Sequence, residues 1–474
     1  MKNSIITRFA PSPTGMIHIG SARTALFNYL YAKHTGGTYK LRVEDTDKKR
    51  NVEGGVDAII NGFKWLGIEH EGEIVFQSKN IKRHQEVVQE LLDNGRAYYC
   101  YTSKEELATL REEAQKKGKV LKFQSPWRDI DYKDAPKDIK PVVRIKAPLK
   151  DGVTIFDTVQ GEKTVPSDAL DDFILLRDDG TPTYMLAVVV DDHDMGVTHI
   201  IRGNEHYNNG FRQKIISDAM GWDCPTFCHI PLILGKDKSK LSKRHGAASI
   251  MEYKEMGYLP EALNNYLLRL GWSHGNDEII SHEQAVEWFD IENVGKSPSV
   301  FDFDKLNSVN KIYMQKKSNK ELFDLVKNNP ELSNPELNGG KILDDKNFEA
   351  KCLKAMEMIK GRAIVLNDIA KECKIYKKGY SVKLDEKSQN ILDVKGGSEM
   401  LTVFLTKLKN LEDWSAENIK KSLKPIAEEN DWKMKLWTQA LRVAITFATV
   451  SSGGIFEIME ILGRDEVLKR VAKS

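Results

Sequence analysis

A chain of 474 residues is too long for one ordinary hydrophobic core, so two or more domains are expected. Apolar residues make up 41% and aromatics 8%, which excludes a disordered chain, and 71 basic against 69 acidic residues leave a net charge of only +2. Any phosphate-binding surface must therefore come from charge placed locally. The five cysteines, Cys100, Cys224, Cys228, Cys352 and Cys373, are an odd, scattered set with no disulfide framework. The N-terminus has no apolar leader segment, and apolar stretches such as Met185–Val190 fall far short of the ~20 residues that span a bilayer. Together these features predict a cytoplasmic protein without a membrane partner.

In chain order, Ile5–Ala10 reads as a short strand, followed by the turn-forming Pro11-Ser12-Pro13-Thr14-Gly15. Ala22, Leu26, Phe27, Leu30 and Tyr31 recur at helical spacing within Ser21–His34, and Gly36-Gly37 stops that helix. Tyr39–Val43 alternates as a second strand and Asp57–Leu66 returns to helix. This order opens a doubly wound, Rossmann-type parallel α/β sheet. From about Cys100 to Pro182 the character changes to a charged helix (Ser103–Lys117) and strands at Val142–Ile145 and Val153–Asp157, an α+β insertion that splits the sheet. The α/β pattern resumes with strands at Leu186–Val190 and Val197–Ile201, a helix at Phe211–Met220 and a strand at Phe227–Leu234. Beyond about Ala247 strand signals vanish, and Glu261–Leu270, Lys351–Lys360, Ser398–Leu408 and Glu457–Ala472 read as helices of an all-helical C-terminal half. The charge runs Lys316-Lys317 and Lys420-Lys421 read as solvated helix faces.

Two constellations carry chemistry. In Arg8-Phe9-Ala10-Pro11-Ser12-Pro13-Thr14-Gly15-Met16-Ile17-His18-Ile19-Gly20 a strand ends, the chain turns, and a helix begins. A helix N-terminus offers free N–H groups to a phosphate, Gly20 presents no Cβ, and His18 can hydrogen-bond ATP phosphates as charge develops. A lone His-x-Gly means nothing, but the extended string resembles the first signature of class I aminoacyl-tRNA synthetases, in the Ala-Pro-Ser-Pro-Thr-Gly form of the glutamate enzymes. Position 21 is Ser here, where the wider class has His. More than two hundred residues downstream, Lys240-Leu241-Ser242-Lys243-Arg244 lies where the second signature belongs, a loop that brings ammonium groups to the triphosphate.

Glutamate has two carboxylates and an ammonium, so its pocket needs cations and one carboxylate. Arg8 and Arg202 end strands and can point into the crevice at the carboxyl ends of the sheet, Arg8 towards the γ-carboxylate. Glu44, ending the second strand, can pair with the α-ammonium, while Asp45 or Asp47 caps the following helix. By resemblance to the bacterial-type glutamyl-tRNA synthetases, Arg8, Ala10, Ser12, Glu44, Tyr184 and Arg202 match amino-acid-site positions. Thr14, His18, Gly20, Glu205, Lys240 and Lys243 match the ATP site, with His18, Gly20, Lys240 and Lys243 catalytic. Val188 is apolar where some family members are polar.

The resemblance covers essentially the whole chain. It implies ATP-dependent attachment of L-glutamate to tRNA(Glu) through a glutamyl-adenylate, with Mg²⁺ accompanying ATP, by a monomer that needs bound tRNA before it activates the amino acid. Whether tRNA(Gln) is charged as well stays open at this level. Residues 1–82 and 183–235 would form the catalytic domain and 83–182 an acceptor-end-binding insertion. Residues 236–310 would contact the tRNA stem, and 311–375 and 376–474 would be two helical anticodon-binding domains. Some relatives hold zinc in the insertion with a Cys-x-Cys and a later Cys-x-His. Here Cys100 is followed by Tyr101 and Thr102, and Gln124–Arg128 offers neither Cys nor His, so no zinc is expected.

Four rivals fit less well. A glutaminyl enzyme would carry Pro-Glu-Pro-Asn-Gly at the first signature, and a truncated relative that modifies a tRNA base would lack residues 311–474. A small-molecule nucleotidyltransferase or a non-enzymatic RNA-binding protein would have no use for both signatures and the long helical half.

Overall fold

The structure is a computed structural model that describes residues 4–47, 51–116, 118, 122–130, 135–136, 138–241, 249–333, 346–393 and 396–474. The chain divides into two compact units, one formed by residues 1–252 and 263–302, the other by 253–262 and 303–474.

In the first unit β1 (Ile6–Phe9), α1 (Ile19–His34), β2 (Thr38–Val43), α2 (Gly55–Leu66) and β3 (Val75–Phe76) wind outward from β1. All three strands are parallel, with Arg8 opposite Lys40 and Val43 opposite Phe76. Gly37 is required where β2 joins β1, because a Cβ there would collide with the Ile5 carbonyl oxygen. The chain then forms α3 (Ile81–Asp93), β4 (Ala97–Cys100) and α4 (Lys104–Lys116). β5 (Val142–Ile145), the hairpin of β6 (Val153–Asp157) and β7 (Gly161–Val165), and β8 (Ile174–Leu176) follow. It returns through α5 (Tyr184–Asp194), β9 (His199–Gly203), α6 (Tyr207–Met220) and β10 (Thr226–Ile230).

The strands of residues 83–182 divide between two sheets. β4, β5 and β8 make an antiparallel sheet of their own, whereas β6 pairs parallel with β10 and extends the order β7-β6-β10-β9. That sheet meets β1 beside β9, where the Thr198 amide donates to the Ile6 carbonyl at 2.9 Å and the Ile6 amide donates to Thr198 Oγ1 at 2.9 Å. Buried Asn28 of α1 stitches the same line, its Nδ2 donating to the Ile201 carbonyl at 2.9 Å. The winding direction thus reverses between β1 and β9, the place where doubly wound sheets open a ligand crevice at the strands' carboxyl ends. Beneath it lies an apolar core that includes Leu186, Val190, Ile200, Phe211, Ile216 and Phe227.

Several expectations are corrected. Leu186–Val190 is no strand but the centre of α5, buried from Leu186 to Asp192. A continuous apolar run fits a buried helix as well as a buried strand, and here the polar residues that continue it, Asp191 and Asp192, are helical too. Phe227–Leu234 is broken at Pro231, which cannot donate to a ladder, into β10 and the two-residue β11 (Ile233–Leu234). β11 pairs with β12 (Ser299–Val300), a strand beyond the point where strand signals fade. Asp45 does not cap α2, which starts after Gly54 at φ +72°; it accepts the Ser78 amide at 2.7 Å and hydroxyl at 2.6 Å, ahead of α3.

The second unit is all helical among its described residues, with helices that include Phe303–Lys316, Lys346–Lys360, Gly397–Lys409 and Met434–Thr446. Buried Trp437 packs on Phe404 and Phe456. Glu457–Ala472 is two helices, Ile455–Leu462 and Arg464–Val471, separated by Gly463 at φ +85°. Of the lysine runs, Lys316, Lys420 and Lys421 are exposed, whereas Lys317 is partly buried and pairs with Glu261 at 2.6 Å; Lys421 pairs with Glu417 one turn away at 2.5 Å.

Candidate active site

The turn after β1 is tied to β2, since the Glu44 amide donates to the Pro11 carbonyl at 2.9 Å. Ser12 and Thr14 stand exposed on it, and Ala10 is half-buried. His18 is the N-cap of α1, where its Nδ1 accepts the Ser21 amide at 3.4 Å. Ser21 Oγ lies 3.4 Å from Nε2, so the serine at the variable position contacts the histidine ring. An accepting Nδ1 puts the proton of the neutral ring on Nε2, which is then a donor. Burial among its neighbours and the nearby Lys240 hold the His18 pKa below its usual value, against the pull of Glu205. His18 is therefore neutral at physiological pH. A Cβ at Gly20 would meet that ring at 3.4 Å, in ordinary van der Waals contact.

Across from this helix end, Lys240 Nζ lies 3.8 Å from Glu205 Oε1, both side chains open to solvent. Lys240 is delivered by a tight turn in which Asp237 accepts the Ser239 amide at 2.9 Å and Lys238 takes φ +61°. The Glu205 carboxylate folds back over Gly203, where a Cβ would displace it. Lys243, with Ser242 and Arg244, lies outside the described residues. Buried Arg23, which no local pattern singles out, donates from α1 to the Leu270 carbonyl at 2.7 Å and to the Pro231 carbonyl.

The carboxyl ends of β1, β2 and β9 and the helix α5 enclose a charged chamber. Asp192 accepts both Nε and Nη2 of Arg8, at 2.9 and 3.1 Å, and Nη1 of Arg42 at 2.5 Å. Burial alone would raise the Asp192 pKa, but Arg42 and Arg8 overcome it and bring it down to about 2. Arg42 Nη2 also donates to Glu44 Oε1 at 3.3 Å. For Glu44 burial wins over both arginines and its pKa is raised, so a cation brought beside it would be bound well. Asp191 holds the other side of this helix, accepting from Gln77, Asn80 and His84 at 2.9 Å each. Tyr184 is half-buried at the start of α5, its hydroxyl pKa raised by burial and by Glu44. Val188, one turn on, is buried.

Arg202 completes the chamber from within β9. It is 6% exposed, its Nε donates to His229 Nε2 at 2.9 Å, its Nη2 to the His206 carbonyl at 3.3 Å, and its Nη1 has no hydrogen-bond partner. Burial pushes its pKa down to about 10. The structure thus gathers Arg8, Glu44, Tyr184 and Arg202 at one end of the sheet, with His18, Gly20, Glu205 and Lys240 along the rim. Sequence reasoning missed Asp192, Arg42 and His229. The pair Asp191-Asp192, ending an apolar run, was the available signal for the first.

In the insertion, Cys100 donates to Ser125 Oγ at 3.3 Å and packs with Tyr98 and Phe123. Cys228 is buried in β10 and Cys224 half-buried before it. Among the described residues no group of three or more His, Cys, Asp or Glu is placed to hold a metal ion, and no helix is long and apolar enough to cross a membrane.

A parallel sheet that reverses beside a His-x-Gly helix start, with a lysine turn facing it, defines a nucleotide-binding domain of the class I synthetase kind. The family model for class I tRNA synthetases (E and Q), catalytic domain, matches residues 4–308, and the anticodon binding domain model matches 323–474. A glutamate–tRNA ligase of Brucella ovis is 48% identical over 475 residues, covering 99% of each chain, and one of Brucella melitensis is equally similar. Two crystal structures align over 99% of both chains: a glutamate tRNA ligase from Elizabethkingia meningosepticum with its amino acid (TM-score 0.85, 30% identity) and a glutamate-tRNA synthetase from Elizabethkingia anophelis (TM-score 0.82, 31% identity). The chain belongs to the glutamate–tRNA ligase family of class I aminoacyl-tRNA synthetases, enzymes that use ATP.

Proposed function

We propose that the chain attaches L-glutamate to tRNA(Glu) in two steps at the crevice between β1 and β9. The α-carboxylate of glutamate attacks the α-phosphorus of ATP, forming the acyl-phosphate anhydride while the bond to pyrophosphate breaks. A ribose hydroxyl of the terminal tRNA adenosine then takes the glutamyl group and AMP leaves. The observation that carries this reading is the chamber's charge pattern. Asp192 occupies the Nε and Nη2 edge of Arg8 and Nη1 of Arg42, and Arg202 keeps a buried Nη1 without a partner. A substrate carboxylate on Arg202, a second on the free edge of Arg8 and an ammonium beside Glu44 and Tyr184 would balance it. Ala10 and Ser12 would line the same pocket.

No protein nucleophile is required. Positioning and charge stabilisation suffice, as in phosphoryl transfer generally. Thr14, His18, Gly20 and the α1 N-terminus would hold the phosphates, Glu205 the nucleotide nearby, and Lys240 and Lys243 the departing pyrophosphate. Mg²⁺ would enter on the ATP phosphates and neutralise part of their charge, with Glu205 the carboxylate on that rim. By the same reading residues 83–182 receive the acceptor end, 236–310 the stem, and 311–375 and 376–474 the anticodon of a tRNA bound by a cytoplasmic monomer.

His18→Ala is expected to slow glutamate-dependent pyrophosphate exchange, measured with tRNA present, by about 10² to 10³ in kcat. The glutamate KM should stay within about threefold, because His18 lies on the rim rather than in the charged chamber. An exchange rate within threefold of wild type would refute the phosphate role.

A further inference from the structure

Arg202 does not stand alone. Its Nε donates to His229 Nε2 at 2.9 Å, and His229 Nδ1 lies 2.6 Å from Asp157 Oδ2. All three side chains are buried, Asp157 and His229 completely. Asp157 belongs to β6, His229 to β10 and Arg202 to β9, so the line crosses three adjacent strands of one sheet. Asp157 is itself fixed, its Oδ1 accepting the amides of Val159 at 3.0 Å and Gln160 at 2.7 Å, and its Oδ2 that of His229 at 3.0 Å. The guanidinium can only donate, so His229 must accept at Nε2 and carry its proton at Nδ1, where the carboxylate receives it.

We propose that His229, oriented by Asp157, is a positioning residue for Arg202 that fixes the guanidinium by its Nε and so reserves the Nη edge for the substrate carboxylate. The inference rests on the reading of Arg202 as a substrate-binding residue. A free arginine can turn its fork about several torsions and lose entropy when a ligand stops it. Here the neighbouring strand sets the rotation before glutamate arrives. Charge also favours the arrangement. Besides Asp157 and Arg202, the groups around the imidazole are His206 and Tyr207, and Phe227 stacks on it at 5.7 Å. Burial first, then Arg202 and His206, hold the ring neutral in spite of Asp157. A protonated ring would set an N–H against the Arg202 Nε–H.

The test separates the two contacts. In His229→Gln an amide oxygen can still accept from Arg202, whereas in His229→Asn the amide reaches Asp157 but not Arg202. Glutamate KM in tRNA charging is expected to rise about 10- to 100-fold in His229→Asn, the range for losing a hydrogen bond to a charged group, and distinctly less in His229→Gln. ATP KM should not change in either. Asp157→Asn keeps an oxygen for the Val159 and Gln160 amides but turns an N–H toward Nδ1 and toward the His229 amide, which Oδ2 accepts in the wild type. It forces the other tautomer and is expected to raise glutamate KM as His229→Asn does. In the wild-type protein, the ¹⁵N shifts of His229 should be those of a neutral ring protonated at Nδ1, a result that needs no variant to fold.

Equal KM values for His229→Asn, His229→Gln and wild type, or a ring protonated at Nε2, would overturn the positioning role. If Arg202→Ala raises glutamate KM while the His229 pair does not, only this inference fails. If Arg202→Ala leaves it unchanged, the reading of the pocket fails first.

Discussion

Arg202→Ala is expected to lower kcat/KM for glutamate by about 10² to 10³, the effect of removing one partner of a buried, hydrogen-bonded charge pair. ATP KM should stay near its wild-type value, because the guanidinium lies in the chamber of Arg8, Glu44 and Tyr184 rather than on the His18 rim. Arg202→Lys should recover less than tenfold of the loss. One ammonium on a flexible stem cannot both engage His229 and present a planar pair of donors. Stability should move little. A guanidinium pushed down to about 10 by burial is held charged against its surroundings. At 1.36 kcal/mol per unit, this cost of roughly 3 kcal/mol at neutral pH disappears with the side chain. The cavity and the bared His229 Nε2 offset that gain, so a melting temperature within a few degrees of wild type is expected. An alanine variant that keeps its glutamate kcat/KM would remove Arg202 from the pocket.

Asp192→Asn is expected to do the reverse and strike the fold first. The wild-type carboxylate takes three donor atoms from two arginines that are almost fully buried. Breaking a buried pair by removing one partner costs about 3–5 kcal/mol, here because Arg8 stays buried without its carboxylate and Arg42 keeps only its longer contacts to Glu44 and Asp191. At roughly 2–4 °C per kcal/mol for a unit of this size, the melting temperature should fall by about 10 °C. The sign with pH follows from the depressed pKa. The folded-state value is about 2, below the ~3.9 of an unfolded Asp. Its contribution is therefore complete above pH ~4 and is lost as pH falls through the folded value. The gap in melting temperature between wild type and Asp192→Asn should narrow between about pH 4 and pH 2. A variant that melts within 2 °C of wild type at pH 7 would contradict the structural role of Asp192.

Much of this site was legible because it sits where local patterns are strong. Arg8, His18, Gly20 and Glu44 follow from strand ends, a turn and a helix start, each visible within a few residues. Their partners depend on which strands become neighbours. Asp157 meets His229 only because β6, from the middle of the insertion, pairs with β10, and nothing in Val153–Asp157 announces that pairing. Asp192 was hidden by taking Leu186–Val190 as a strand. The same run, once helical, carries Tyr184 and Asp192 from one end of α5 to the other. Breaks were missed where one residue decides them, at Pro231 between β10 and β11 and at Gly463 between the last two helices.

The most direct test of the central claim is tRNA charging by the purified protein with ATP, Mg²⁺ and labelled glutamate or glutamine, on separate tRNA(Glu) and tRNA(Gln) transcripts. ATP-dependent transfer of glutamate, and not glutamine, to tRNA(Glu) is the predicted result, and glutamate on tRNA(Gln) as well would identify a non-discriminating enzyme. No glutamate on either transcript, under conditions where a control synthetase charges its own, would contradict it.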